Sequence, residues 1–335
     1  MKNFKTLFTA LFLTFLATGA LAQDKAAAIK AFNAGLEQAK SNDFDAAISS
    51  FTQAADIAGQ VGDDALKDRA EKQIPTMYYQ KAVLAYNAFK TSKNLSDLDT
   101  AVNAFQEASD VASQYGVDNV AARASGIIPQ LLYNKSLVQF NQGNYAEADA
   151  TLNEVINKNA NYAIAYYQKG LVANKQGKDI LQVLQWYDKA IEVADRTNQA
   201  QVSRRATESA HDNLLYRGVK EMEAGNHRDA LELLQTGLSY DSGSADIHYR
   251  IAEVSNKMAQ YDTAIKHAIQ SLDLENGGRT DKAKIYFELG FAYQAKGDKA
   301  KACDAFSNAV YGAFKDPAEH KMEFELKCSS ADPSN

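Results

Sequence analysis

The sequence predicts an all-α protein, a right-handed α-solenoid of about seven helical hairpins closed by a C-terminal capping helix. Only four prolines occur in 335 residues, and the many alanines and modest Ile and Val content favour helices over sheets. A unit of 34 residues also recurs along the chain, which is typical of repeat architectures. Stacked repeats suit this length, because a single globular core usually gives way to several domains above ~250 residues.

The repeat is clearest in residues 283–316, where a Leu289-Gly290 pair lies on the first predicted helix of a hairpin. Small residues at the eighth and twentieth positions, Gly290 and Ala302, allow two antiparallel helices to approach each other. A large residue at position twenty-four, Phe306, fills the gap between them. The same register recurs without insertions in residues 28–61, 129–162, 211–244 and 245–278, and with insertions in residues 75–115 and 163–197.

This pattern resembles the tetratricopeptide repeat (TPR), and the resemblance covers nearly all of the chain after residue 22. It implies antiparallel helix pairs that stack side by side and enclose a groove. It also implies an adaptor that binds other proteins, although a shared fold does not define a function by itself.

A second echo runs through the N-terminal half at an offset of 54 residues, and it pairs Pro75 with Pro129 and Tyr79 with Tyr133. We interpret it as duplication of an enlarged hairpin whose extra residues lengthen helices. A looser relative is expected between Ala194 and His211. The predicted organisation is N-terminal hairpins with the enlarged, duplicated unit at 23–128, a regular repeat array at 129–316, and a capping helix and tail at 317–335.

Residues 1–22 have the pattern of a secretory signal peptide. Lys2 and Lys5 precede an apolar stretch, and Ala20-Leu21-Ala22 forms a small-x-small cleavage site. An uncleaved anchor is the alternative, but the stretch is shorter than the ~20 residues that span a bilayer. No later segment is long and apolar enough to be transmembrane. The predicted location is the periplasm, with the extracellular space as the alternative.

Charge limits the class of partner. Removal of Lys2 and Lys5 would change the formal net charge from −6 to −8, which disfavours nucleic acids and anionic membranes by repulsion. The partner expected is another exported protein or an outer-membrane protein.

Large side chains recur at the fifth repeat position, which faces the inner groove in the family that the pattern resembles. This aromatic row consists of Phe32, Tyr79, Tyr133, Tyr167, Tyr249 and Phe287. One interpretation is partner binding, because aromatic rings offer a large contact area with a polar edge. The other is packing between neighbouring hairpins.

Basic residues follow or neighbour this row at Lys81, Lys135, Lys169 and Arg217. They would either anchor an acidic ligand or lay their stems along the hairpin with their charged heads in water. We favour the second interpretation.

The only two cysteines, Cys303 and Cys328, lie near the C-terminus. In an exported protein they predict a disulfide that holds the capping helix to the last repeat. Two independent buried thiols are the alternative. Met322, Phe324 and Leu326 are the residues expected to cover the end of the stack.

The sequence offers no catalytic constellation, metal-ligand spacing or cofactor motif. The five histidines are scattered and are interpreted as surface or packing residues, and Trp186 is interpreted as core. The function predicted is therefore a non-enzymatic scaffold or adaptor of the bacterial cell envelope. The alternative is a carrier or sensor of a small molecule or glycan, which requires Tyr79, Tyr133 and Tyr167 to be solvent-facing.

Overall fold

A computed structural model describes residues 23–328, and every regular element in that range is helical. The signal-peptide prediction for residues 1–22 and the tail at 329–335 lie outside the described residues. The helices are α1 (23–40), α2 (Phe44–Gln60), α3 (Asp64–Ser92), α4 (Leu95–Gln114), α5 (Asp118–Asn141), α6 (Tyr145–Lys158), α7 (Ala163–Lys175), α8 (Ile180–Arg196), α9 (Ala200–Glu223), α10 (His227–Gly237), α11 (Ala245–Lys257), α12 (Tyr261–Leu274), α13 (Arg279–Ala295), α14 (Lys299–Asn308) and α15 (Lys315–His320).

The first fourteen helices form seven sequential hairpins, α1/α2 through α13/α14, and a short α15 follows them. The prediction of an all-helical TPR-like solenoid is therefore confirmed. The chain divides into two compact units between Ala165 and Tyr166, and each unit has its own packed hairpins.

Side-chain caps fix where many of these helices begin. The carboxylates of Asp43, Asp63 and Asp298 each accept a hydrogen bond from a backbone N–H three residues further on. Asn94 and Ser244 cap α4 and α11 in the same way. These bonds satisfy N–H groups that have no partner inside the helix, and each typically stabilises by ~1 kcal/mol.

Glycine at the eighth repeat position allows the two helices of a hairpin to cross closely. A Cβ atom on Gly35 would lie 2.8 Å from the Phe51 ring, and one on Gly290 would lie 2.9 Å from the Phe306 ring. Both rings are fully buried. The size pattern in the sequence thus reflects direct contact between a helix backbone and a ring.

Three first helices are extended: α3 has 29 residues, and α5 and α9 have 24 each, whereas α11 has 13. Each extended helix follows a three-residue turn whose middle residue has a positive φ, at Gly62 (69°), Gly116 (65°) and Asn198 (56°). Glycine adopts this left-handed conformation without a steric penalty, and asparagine tolerates it better than most residues. The same supersecondary unit therefore occurs three times.

The end of the last hairpin is covered by α15 and a following π-helical segment, Lys321–Leu326. Met322 and Leu326 pack against the cluster of Phe306 and Ala309, as the sequence predicts. Phe324 is exposed instead, so the expectation that it covers the stack is wrong. A disulfide joins Cys303 on α14 to Cys328, with a Cα–Cα distance of 5.9 Å.

Candidate functional site

The aromatic row lies on the first helices of six hairpins, and most of its rings pack within their own hairpin. Four ring pairs join the two helices of one hairpin with centroids 5.4–6.0 Å apart: Phe32 with Phe51, Tyr79 with Phe105, Tyr167 with Tyr187, and Phe287 with Phe306. Tyr133 packs against Tyr162 at 5.7 Å. These contacts make the row part of the hairpin core.

Arginines from the extended helices lie over three of these rings. The guanidinium of Arg69 lies 4.9 Å from the Phe32 centroid, and that of Arg123 lies 4.5 Å from the Tyr79 centroid. Arg205 covers Tyr167 in the same way at 4.8 Å. Each arginine lies seven residues after the positive-φ residue of its turn, so the extended helix segment places it.

Within residues 23–328, Tyr249 has neither an aromatic partner nor an extended helix over it. Two cations flank its ring instead, with Arg250 and Lys284 each 4.9 Å from the centroid. Lys284 is also held by an ion pair of 2.8 Å with Asp246.

Burial differs along the row. Phe32, Tyr167 and Tyr249 are buried, whereas Tyr79, Tyr133 and Phe287 are half-buried. Tyr167 is only 7% exposed, and its hydroxyl lies 3.3 Å from the Ser209 hydroxyl. It therefore does not meet the requirement of the small-ligand alternative for a solvent-facing ring.

The basic residues near the aromatic row contact other side chains and carbonyl groups of the same chain. Lys81 pairs with Asp45 at 2.6 Å, and Lys135 pairs with Asp99 at 2.7 Å. Arg217 donates hydrogen bonds to the Asn174 side chain and the Lys178 carbonyl. Lys169 is buried, and its Nζ lies 4.4 Å from the Trp186 ring. Lys169 therefore contradicts the expectation that the charged head lies in water, whereas the Lys81 side chain is half-exposed beside Asp45.

Trp186 is half-buried and lines an open cavity of about 680 Å³, which corrects its interpretation as core. The cavity is formed mainly by α8, with Tyr166, Thr236 and Tyr240 at its other side. Leu181 also lines it and is 72% exposed. The Tyr240 hydroxyl donates a 2.7 Å hydrogen bond to Asp188. We call this space the Trp186 cavity.

A smaller cavity lies between the first helices of two successive hairpins. We call it the α11–α13 cavity; its volume is about 190 Å³, and it is lined by Glu253, Asn256 and Lys257 of α11 and by Phe287, Glu288 and Phe291 of α13. Phe287 is the one member of the aromatic row that lines either cavity. Phe291, at the ninth repeat position, is 36% exposed.

Oxygen acceptors dominate the polar lining of the α11–α13 cavity. The Asn256 amide donates to the Glu288 carbonyl at 2.9 Å and to the Glu288 carboxyl at 2.8 Å. Burial raises the pKa of the Glu288 carboxyl, and the neighbouring Glu253 charge adds to this effect. Sequence reasoning missed this cluster, because Asn256 and Glu288 are separated by 32 residues and belong to no motif.

Two histidines that are 19 residues apart in the sequence, His248 of α11 and His267 of α12, are in contact. Their Nδ1 atoms are 2.8 Å apart, and His248 Nε2 lies 3.2 Å from the Ser242 carbonyl. Burial is the main cause that lowers the pKa of His267, to about 4. Within residues 23–328, no group of three or more His, Cys, Asp or Glu side chains is placed to hold a metal ion.

Sequential helical hairpins with a small-residue crossing define a helical-repeat protein. Two segments match models of the tetratricopeptide repeat family, residues 130–162 and 283–311, and they coincide with repeats that the sequence places at 129–162 and 283–316. These two segments are therefore similar to tetratricopeptide repeats, and the helical hairpins around them have the same TPR-like fold.

The fold is similar to that of several solved structures. One is a MamA fragment from Desulfovibrio magneticus RS-1, at 19% identity and a TM-score of 0.34, covering 60% of this chain and 97% of that one. Another is YrrB, described as a TPR protein with an unusual peptide-binding site, at 16% identity and a TM-score of 0.33, covering 54% of this chain and 84% of that one.

A tetratricopeptide repeat protein from Parabacteroides merdae covers 89% of this chain and 98% of its own, at 13% identity and a TM-score of 0.29. Because these TM-scores are all below 0.5, none of the likenesses supports an inference about function. Among curated proteins, none matches this chain.

Proposed function

We propose that this chain is a non-enzymatic scaffold of the bacterial cell envelope that holds another exported or outer-membrane protein along the first helices of its repeats. The α11–α13 cavity is the observation that carries this proposal. Elsewhere arginines cover ring faces of the row, whereas here Phe287 and Phe291 line an open space between two first helices. An aromatic surface with a polar edge suits a protein partner.

Two observations support an envelope location. The sequence of residues 1–22 has the charge and apolar pattern of a signal peptide. The Cys303–Cys328 disulfide is typical of an oxidising compartment such as the periplasm. Among residues 23–328, no helix is both long and apolar enough to cross a membrane.

Fractionation of the source cell tests the location. We expect the tagged protein in the periplasmic fraction, with a mature N-terminus at Gln23. An intact chain that begins at Met1 and remains in the cytoplasm would contradict export.

Partner capture tests the binding role. The tagged protein is crosslinked in cells, and co-purified proteins are compared between wild type, Phe291→Ala and Phe324→Ala. Phe324 is the matched control, because it is an exposed phenylalanine of the same unit that lines neither cavity. We expect a specific protein to be retained by Phe324→Ala and lost by Phe291→Ala. Identical capture by both variants, or no capture beyond an untagged control, would contradict the proposal.

One observation favours a second candidate, a carrier or sensor of a small molecule or glycan. The Trp186 cavity is large enough for a drug-sized ligand and combines aromatic rings with polar groups. Its lining does not include the row tyrosines Tyr79, Tyr133 and Tyr167 that the sequence suggested for this role. Trp186 fluorescence during titration with a panel of oligosaccharides tests it, and an unchanged spectrum throughout the panel would count against this candidate.

A further inference from the structure

Asn256, which lines the α11–α13 cavity, has a buried acceptor without a donor in the described part of the chain. Asn256 is 6% exposed, and its amide nitrogen donates two hydrogen bonds to Glu288. These bonds fix the orientation of the amide, and its Oδ1 has no hydrogen-bond partner among the described residues. A buried acceptor without a donor is unfavourable, so a ligand that supplies a donor here gains binding free energy.

Two carboxyl groups line the cavity beside this acceptor. Glu253 Oε2 accepts from Arg250 at 2.8 Å, whereas its Oε1 has only a distant contact of 3.9 Å with Lys257. Glu288 accepts from the Asn256 amide and has no ion pair of 4.0 Å or less in the described part of the chain. The single cation in the lining is the half-exposed Lys257, so the lining has more acceptors than donors and a net negative charge when both carboxyls are ionised.

The apolar part of the lining also suits a flat cation. Phe287 and Phe291 contribute their rings, and Lys321 Nζ already lies 5.7 Å from the Phe291 centroid. Aromatic faces attract cations, and the planar guanidinium of arginine also stacks on them. The volume of about 190 Å³ equals roughly six waters of liquid, which is enough for one long side chain.

We propose that the α11–α13 cavity binds an arginine side chain of an extended partner segment. The guanidinium donates to Asn256 Oδ1 and to the carboxylates of Glu253 and Glu288, while its stem and flat face contact Phe287 and Phe291. Its five donors in a planar fork match three neighbouring acceptors better than the compact ammonium of lysine. This inference rests on the proposed function, because it names the chemistry of the partner at that site.

Capped pentapeptides Ac-Ala-Ala-Xaa-Ala-Ala-NH2 test the inference on the purified full chain, with Xaa as Arg, Lys, Gln or Glu. Binding is followed by the NMR shifts of the Asn256 side-chain amide and of the backbone amides around Phe287. We expect saturable shifts with the Arg peptide, at least threefold weaker binding of the Lys peptide, and none with Gln or Glu. Equal binding of the Arg and Gln peptides, strongest binding of the Glu peptide, or no saturable binding would overturn the proposal.

Glu288→Gln is the decisive variant, because the glutamine carbonyl still accepts from Asn256 while the charge is removed. We expect at least a fivefold loss of affinity for the Arg peptide. Glu232→Gln, an exposed position on α10 whose side chain lines neither cavity, is the matched control and should bind like wild type. Unchanged affinity in Glu288→Gln would overturn the assignment, and circular dichroism of both variants shows whether the fold is retained.

The two proposals fail in different ways. If a protein is captured in cells through Phe291 but the Arg peptide does not bind, the arginine assignment is wrong and the scaffold role stands. If the Arg peptide binds and Glu288→Gln weakens it, but no protein is captured, the cavity chemistry stands and the scaffold role is wrong.

Discussion

Hairpins whose first helix is extended and hairpins whose first helix is short differ in what lies over the aromatic residue at the fifth repeat position. Where a first helix is extended, an arginine of that helix covers the preceding ring, as Arg123 covers Tyr79 and Arg205 covers Tyr167. Between α11 and α13 no such extension exists, and Phe287 lines a cavity together with Phe291.

What covers the ring at the fifth position therefore differs: it is an arginine of the next first helix where that helix is extended, as over Tyr167, and Arg250 and Lys284 over Tyr249 where it is short. A tyrosine at that position is packed in one hairpin, and a phenylalanine at the equivalent position lines an open space in another. The extended hairpins therefore add an arginine over the preceding ring, whereas the cavity that we propose as a binding site lies between the shorter helices α11 and α13.

The largest expected effect concerns the end of the last hairpin, which is covered by the short helix α15 and held by a disulfide. Replacement of both Cys303 and Cys328 by serine should lower the free energy of opening of residues 312–328 by about 3 kcal/mol, because the bridge closes a loop of 25 residues. Hydrogen exchange of the backbone amides in this segment measures the change. Exchange in the variant equal to that of the oxidised wild type would contradict the structural role.

Gly290→Ala tests the close helix crossing that both kinds of hairpin share. The new Cβ would meet the Phe306 ring at 2.9 Å, and such overpacking costs ~1–3 kcal/mol even though alanine favours helices. We expect a loss of about 2 kcal/mol in urea unfolding.

Gly126→Ala is the control for this substitution. Gly126 lies within α5, and an added Cβ has no neighbouring atom within 4 Å. This variant should gain about 0.5–1 kcal/mol from helix propensity alone. Equal effects of the two substitutions would show that the crossing distance does not matter.

Sequence reasoning predicts the hairpins well because size alternation is a local pattern. Gly290 and Phe306 lie in one 34-residue unit, and their contact follows from the register. The third extended unit is harder to recognise, because Asn198 replaces the glycine of the equivalent turns at Gly62 and Gly116. The conformation is the same, but identity at that position is lost.

The candidate site is predicted less well, because it depends on contacts between repeats. The position of Phe287 suggests a groove residue, yet nothing in the repeat pattern indicates that Asn256 meets Glu288. Whether the Tyr167 ring is covered likewise depends on Arg205, which lies 38 residues further on. Repeat register predicts which face a residue occupies but not what the next helix places over it.

Arg205→Ala tests whether the extension covers the row. Loss of the guanidinium above Tyr167 removes a cation–π contact and the packing of the arginine stem; because Arg205 is exposed, we expect a loss of about 1 kcal/mol. The adjacent Arg204 is the matched control, because it is 70% exposed and pairs only with Glu208 on the surface. Its replacement by alanine should change stability by less than ~0.5 kcal/mol. Similar losses of stability in both variants would contradict a stabilising role for the arginine that covers Tyr167.

The smallest expected effect is a pH dependence of stability that arises from the His248–His267 pair between α11 and α12. His248 Nε2 must donate a hydrogen bond to the Ser242 carbonyl. The Nδ1 of neutral His248 therefore accepts a hydrogen bond from the Nδ1–H of His267. Protonation of this pair is unfavourable in the folded state, where burial lowers the pKa of His267 from 6.5 to about 4. The resulting stability is fully present above pH 6.5 and is lost as the pH falls towards 4.

Because the His267 ring is only half-buried, we expect a loss of about 1 kcal/mol between pH 7 and pH 5 from this group. Urea unfolding of wild type and His267→Gln at both pH values isolates it, since carboxyl groups titrate alike in the two proteins. The wild type should lose about 1 kcal/mol more than the variant. An equal pH dependence would show that the His248–His267 pair does not contribute.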